Sequence, residues 1–231
     1  MDHKKWHEQA ESKWDRFSDN WNARSEQMWK DGSRKKVLPF FQSFIESDSD
    51  VLDLGCGDGQ GSEMLQKAGY SVTGVDLSSK MIEIAKKRST AATFLQGDVT
   101  ALPFENEAFD AVMAINCLEW VASPLEAINE INRVVKPGGV FVVGILGPVA
   151  GPRTNSYPRL EGEEVVCNTM MPWEFQRLAE THGWTTIGMS SVPKEGAPEG
   201  LEMQNALLEQ AVSFMTLFAL EKKSADVPEQ G

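Results

Sequence analysis

Glycine at every second position after a short apolar run is the feature that most limits how this chain can fold. In VLDLGCGDGQGS, Val51 to Ser62, the glycines are Gly55, Gly57, Gly59 and Gly61. Val51–Leu54 reads as a strand. Gly61–Ala68 reads as a helix with Met64, Leu65 and Ala68 facing inward and Gly69 as its left-handed stop. A strand that turns straight into a helix belongs to a parallel sheet wrapped by helices, and such sheets bind ligands beyond the carboxyl ends of their strands. Bare backbone at Gly55, Gly57 and Gly59 admits a ligand closely, and the helix start offers free N–H groups. Four alternating glycines exceed what a tight turn alone needs.

The same rhythm continues along the chain. Ser71–Val75 is the next strand and ends at Asp76; Ser78 or Ser79 then caps a helix running to about Arg88. Ala92–Gln96 is a third strand. Phe109–Ile115 is a fourth, apolar enough for burial on both faces. Ser123-Pro124-Leu125-Glu126 has the capping-box pattern with proline at the first helical position, and Leu125, Ile128, Ile131 and Val135 form the expected buried stripe. Lys136–Gly139 turns into the strand Val140–Ile145. Beyond it, Gly147–Cys167 has no period, Pro172–His182 is a helix stopped by Gly183, and Trp184–Val192 is a strand. Leu201–Ala211 reads as helical and Val212–Glu221 as a seventh strand, pairing antiparallel with the sixth. The expected fold class is α/β, a doubly wound Rossmann-like sheet. Residues 1–48 read as a helical lid, 49–221 as the main domain with a substrate-side segment at 147–170, and 222–231 as a polar tail. In the lid Trp14, Phe17 and Trp21 share one helical face, which covers the core and can close over a ligand.

Composition removes several classes of function. The 231 residues carry 22 Lys+Arg against 34 Asp+Glu, a net charge of −12, and basic residues cluster only in short runs such as Arg34-Lys35-Lys36, so nucleic acid is not an expected partner. No apolar run is long enough for a membrane span. The opening MDHKKWHEQAESKWDRF lacks the apolar core of a signal peptide, and the cytoplasm is the expected compartment. Cys56, Cys117 and Cys167 are scattered, and His3, His7 and His182 fit no metal motif. His3 and His7 share a helical face that reads as solvated.

Two acids refine the ligand. The dinucleotide fingerprint G-x-G-x-x-G fails in both frames, because its third glycine falls on Gln60 or Ser62. Asp76, at the end of the second strand, suits the two hydroxyls of a ribose, through charge-assisted bonds worth about 1.5–3 kcal/mol each. Asp98, after the third strand, suits an adenine amine, with the Val99 N–H on a ring nitrogen and Leu77 against the ring. The motifs VLDLGCGDG, GVDLS, GDVTALPF, FDAVMAINCLEWV and RVVKPGGVFVVG, in this order, resemble those of the class I S-adenosylmethionine-dependent methyltransferases. The resemblance is nearest to the group containing the ubiquinone/menaquinone-biosynthesis enzymes and covers roughly residues 50–145. It implies a seven-stranded sheet of order 3-2-1-4-5-7-6 with strand seven antiparallel. It also implies S-adenosylmethionine as cofactor, with Gly55, Cys56 and Gly57 along its methionine part, Asp76 on the ribose, Leu77, Asp98 and Val99 at the adenine, and the Asn116 carbonyl at the ammonium. Gly59 belongs to the same loop, and Arg34 is a candidate for the cofactor carboxylate. The expected acceptor is a small molecule. Glu119 and Tyr157 are the candidate general bases if the acceptor hydroxyl is weakly acidic. A partly apolar acceptor pocket is expected from Trp14, Phe17, Trp21, Met170, Met171 and Trp173. A non-catalytic cofactor sensor and a nicotinamide oxidoreductase are the alternatives. Acceptor identity and oligomeric state are not legible.

Overall fold

Seven strands form one sheet: β1 Asp50–Leu54, β2 Ser71–Asp76, β3 Thr93–Gln96, β4 Phe109–Ile115, β5 Val135–Leu146, β6 Trp184–Pro193 and β7 Ser213–Lys222. Their order is β3-β2-β1-β4-β5-β7-β6, with β7 antiparallel to both of its neighbours. The computed structural model describes residues 2–194 and 205–223. The helices are α1 His3–Lys30, α2 Val37–Gln42, α3 Gln60–Lys67, α4 Ser79–Arg88, α5 Pro124–Val134, α6 Pro172–Thr181 and α7 Ala206–Val212. The rest of the expected helix 201–211, residues 201–204, and most of the polar tail, residues 224–231, lie outside the described residues. No helix among the described residues is long and apolar enough to cross a membrane.

Strand alternation explains how both faces are covered. Leu52, Leu54, Val112 and Phe141 pack with Ile128 and Ile131 of α5 and Phe175 of α6. Val51, Val72, Met113 and Val142 pack on the other face with Phe41 of α2 and Leu65 of α3. The connecting helices begin and end where local chemistry directs. Ser78 Oγ accepts from Met81 N–H at 3.1 Å and caps α4, while Gly69 and Gly183, at φ +100° and +90°, stop α3 and α6.

Two sequence expectations need correction here. Leu125 is 36% exposed, and the buried stripe of α5 is Ala127, Ile128, Ile131 and Val134. At 3.6 residues per turn Leu125 points about 130° from the centre of that stripe. The fifth strand begins at Val135 rather than Val140: Val135 pairs with Phe109, and the register then shifts before Ala111 pairs with Val140, so Lys136–Gly139 bulges within the strand.

α1 lies across the sheet's carboxyl end, and polar contacts fix it along its length. Trp6 Nε1 donates to Trp120 O at 2.7 Å, and Ser78 Oγ donates to Asp15 Oδ1 at 2.5 Å. Arg88 Nη2 donates to Asn22 Oδ1 at 2.7 Å, and the Ser25 hydroxyl donates to buried Asp58.

Candidate active site

The glycine turn is built by packing as much as by access. Gly55 has φ +66°, and a Cβ there would sit 2.7 Å from the Cβ and Sγ of Cys117 in the loop after β4. Gly57, φ +55°, has the indole nitrogen of Trp21 3.3 Å from where its Cβ would be. Gly59 caps α3 at φ +79°, and a Cβ would strike Ala85 and Phe94. Gly61 gives its space to Trp29. Of the four glycines of this turn, Gly55 and Gly57 line the cleft; Gly59, expected at the ligand, packs against Ala85 and Phe94 instead. Cys56 is buried between β2 and α4, beside Ile82, Ala85 and Phe94, and does not line the cleft either.

Asp76, Leu77, Asp98, Val99 and Asn116 line the same cleft as Gly55 and Gly57. Each sits at or just beyond a strand end, which is why residues so far apart in sequence meet. Asp76 accepts from Gly57 N–H at 2.9 Å on one oxygen and from Ser78 N–H at 2.8 Å on the other. Both oxygens are thereby aimed, and burial pushes its pKa up to about 6. Deeper, Asp53 accepts from Ser62 Oγ at 2.6 Å, and burial raises it to about 7. Asp98 Oδ1 accepts from Thr100 N–H, while the Val99 N–H has no acceptor among the described residues. Asn116 takes φ +53° at the end of β4, an uncommon conformation for a residue with a side chain, held by its N–H and Nδ2 on Gly144 O.

α1 divides the space above these residues into two chambers. The inner one holds the cleft residues and measures about 90 Å³. The outer one measures about 500 Å³ and is walled by Phe17, Met28, Leu146 and Phe214. Trp14, Trp21, Trp120 and Asn116 line both. Trp14 meets Trp21 and Trp120 edge to face, with centroids 5.7 and 5.1 Å apart. His7, read from sequence as solvated, reaches into the inner chamber, its Nδ1 3.0 Å from Asp98 Oδ2. The helical spacing from His7 to Trp14, one heptad, was the available signal.

The two candidate bases stand apart from this space. Glu119 lies in a 3-10 turn, Leu118–Trp120, and is fully buried. Its Oε1 accepts from Leu146 N–H at 2.5 Å, its Oε2 accepts no hydrogen bond among the described residues, and burial raises its pKa. It lines neither chamber. Tyr157, in the 3-10 segment Gly151–Glu161, is 58% exposed and also lines neither. Met170 packs into the core beside Phe175, and neither Met171 nor Trp173 reaches the chambers. Arg34 is buried against Trp21 and lines the outer chamber rather than the inner one.

Comparison with known proteins points to the same fold. Residues 52–143 match the methyltransferase domain family. Over 96 residues the chain is 42% identical to a malonyl-[acyl-carrier protein] O-methyltransferase of Erwinia pyrifoliae, covering 42% of this chain and 37% of that protein. Over 108 residues it is 41% identical to a demethylmenaquinone methyltransferase of Renibacterium salmoninarum, covering 46% of each. The chain thus spans less than half the length of these curated relatives. Among solved structures, the methyltransferase in complex with the Haloferax volcanii Trm112 methyltransferase activator superposes with a TM-score of 0.69 at 21% identity, over 90% of this chain and 96% of that one. Residues 52–143 thus resemble a methyltransferase domain, and the seven-stranded fold is similar to that of the solved methyltransferase structure.

Proposed function

We propose that the chain transfers a methyl group from S-adenosylmethionine to a small-molecule acceptor. The carrying observation is that two carboxylates and two glycines from successive strand ends line one cleft: Asp76, Asp98, Gly55 and Gly57. The residues fit the cofactor. Asp76 is an acceptor already oriented by two backbone N–H groups, as a ribose diol needs. The free Val99 N–H and the Asp98 carboxylate suit an adenine edge, and Leu77 and Met81 offer apolar contact. Gly55 and Gly57 bare the wall for the methionine arm, and Cys56 supports the turn from behind.

When bound, S-adenosylmethionine supplies an electrophilic methyl group on a sulfonium. The chain's own work is to bind, orient and keep water out. Orientation of this kind lowers a barrier by about 7–11 kcal/mol when reacting atoms are well placed. The tryptophans common to both chambers line the space where cofactor and acceptor would meet, which suits them to exclude water. Glu119 and Tyr157 do not reach the chambers, so an acceptor that needs no protein base, such as an acidic hydroxyl, fits this site best. In this reading residues 1–48 act as a lid: α1 occupies Asp98 through His7 and the face of Gly57 through Trp21, and must yield to admit the cofactor. The three cysteines are all free, which suits the cytoplasm, and the acidic balance argues against nucleic acid as acceptor.

Calorimetry with S-adenosylhomocysteine tests the cofactor, and transfer of labelled methyl across an acceptor panel tests the activity. Absence of binding sinks the proposal. Binding without transfer to any acceptor favours a sensing role instead.

A further inference from the structure

The outer chamber carries a charge pattern that the methyl-transfer reading does not require. Its ionisable lining is Lys13, Arg16, Arg24 and Arg34, four cations and no acid, in a chain of net charge −12. Its apolar lining is largely flat aromatic surface, from Trp14, Phe17, Trp21, Trp120 and Phe214.

Arg34 is the telling member. It is 5% exposed, and burial lowers its pKa to about 10. A buried guanidinium ordinarily has a carboxylate partner, because desolvating an unpaired charge is costly. Among the described residues none lies within ion-pair distance of it. Its contacts are Asn116 Oδ1 at 3.0 Å, Met28 Sδ at 3.4 Å and the Trp21 ring, 4.7 Å from its Cζ. Three of its five N–H donors have no partner among the described residues. Glu119 and Asp58 help to hold its charge from beyond ion-pair distance, and neither is free to pair with it. Asp58 is taken by Arg88 at 2.7 Å, and Glu119 also faces Arg153. Lys13 repeats the pattern elsewhere on the lining: half-buried over Trp120, with Nζ 2.9 Å from Asn155 Oδ1 and its pKa lowered by burial. A planar fork beside an indole face is the arrangement that receives a carboxylate or phosphate carried on a flat apolar body.

We infer that the outer chamber binds an anionic acceptor: a planar, largely apolar molecule bearing a carboxylate or phosphate that pairs with Arg34. The inference rests on the methyl-transfer reading of the adjoining inner chamber, and it names the acceptor's class.

The test uses the full chain and four probes of one shape: 2-naphthoate, 2-naphthyl phosphate, 2-naphthamide and 2-naphthylmethylammonium. Binding is followed by tryptophan fluorescence and calorimetry, with and without saturating S-adenosylhomocysteine. At least one anion should bind about tenfold or more tighter than the neutral amide, the gain expected of a charge-assisted pair, and the ammonium weakest. The stronger anion identifies the group. Arg34→Met should abolish the preference and leave S-adenosylhomocysteine affinity unchanged, with Arg34→Lys partly restoring it. Lys13→Met, at a less buried position, should reduce the preference and covers the case in which Arg34→Met does not fold. Equal binding of amide and anions, a preference for the ammonium, or no binding of any probe overturns the proposal. So does an Arg34→Met protein that loses S-adenosylhomocysteine but keeps the anion preference, which would give Arg34 to the cofactor carboxylate. Anion preference in a protein that never binds S-adenosylhomocysteine would leave the anion site standing and remove the methyl-transfer reading.

Discussion

The strand-end cleft and the helix that covers it are held by different physics. Asp76, Asp98 and Asn116 are positioned by backbone geometry: a strand ends, the chain turns, and local N–H groups fix each side chain. α1 is positioned by side chains alone, through an indole on a carbonyl, a hydroxyl on a carboxylate and a histidine on Asp98. The first arrangement has few alternatives without unfolding the sheet. Ahead of its last turn, where Trp29 joins the core, the second is a row of separable contacts, several of them partly exposed, each worth about 0–3 kcal/mol. The cleft should therefore respond to substitution as part of the core, and the cover as a removable part.

Gly55→Ala is the hardest blow to the first half of that comparison. The new Cβ meets Cys117 at 2.7 Å in a left-handed conformation. Overpacking costs about 1–3 kcal/mol and the left-handed residue about 1–2, so unfolding should be easier by about 2–5 kcal/mol. Thermal or urea denaturation measures this. Combining it with Cys117→Gly in a double-mutant cycle should recover the steric part and leave the conformational part. A Gly55→Ala chain of undiminished stability would mean that the turn is not the rigid element described.

Asp76→Ala comes next and should spare the fold more than the ligand. S-adenosylhomocysteine affinity should fall more than about tenfold, the loss of a charge-assisted pair. Acidity gives the same residue a second signature. The folded value near 6 lies above the ordinary 3.8, so between about pH 4 and 6 the folded chain holds the extra proton. Stability from Asp76 is therefore present at low pH and declines as pH rises through that window. Ligand affinity runs the opposite way, because a ribose diol needs the carboxylate as acceptor: it should fall as pH drops through about 6. Calorimetry from pH 5 to 8 on the wild type and Asp76→Ala isolates this, since the inflection near 6 should be lost with the carboxylate. Asp53, near 7 but 3% exposed, should enter the stability curve and not the ligand's.

Backbone positioning is also what made the cleft legible in sequence. The places of Asp76 and Asp98 at strand ends were readable because strand, turn and helix signals set them whatever the side chains around them do, and strand order followed from the family resemblance. Gly59 was misjudged because glycine spacing does not say whether the missing side chain makes room for a ligand or for Ala85 and Phe94. Cys56 and Glu119 follow the same lesson: both sit next to cleft residues in sequence but turn into the protein. His7, Lys13 and Arg34 acquire meaning only once α1 is laid on the sheet, a docking set by tertiary contacts that no local period encodes. The aromatic face of α1 was visible in its helical spacing; what it faced was not.

The smallest expected effect is the one that most directly separates cover from cleft. His7 Nδ1 lies 3.0 Å from Asp98 Oδ2, with side chains 27% and 24% exposed, so the contact is worth at most about 1 kcal/mol. His7→Ala should lower stability by no more than that. If α1 competes with the adenine edge for Asp98, the same change should raise S-adenosylhomocysteine affinity by up to about fivefold, the equivalent of about 1 kcal/mol. Association should also quicken in stopped-flow tryptophan fluorescence, since one tether fewer must break. Asp98→Asn should do the reverse to affinity, and combining the two should return only the Asp98→Asn loss, because without the carboxylate His7 has nothing to withhold. A His7→Ala chain that binds more weakly, by as much as Asp98→Asn does, would make His7 part of the ligand's own wall. The cover would then be a fixed component of the cleft, and the distinction between the two regions would fail at the point where they touch.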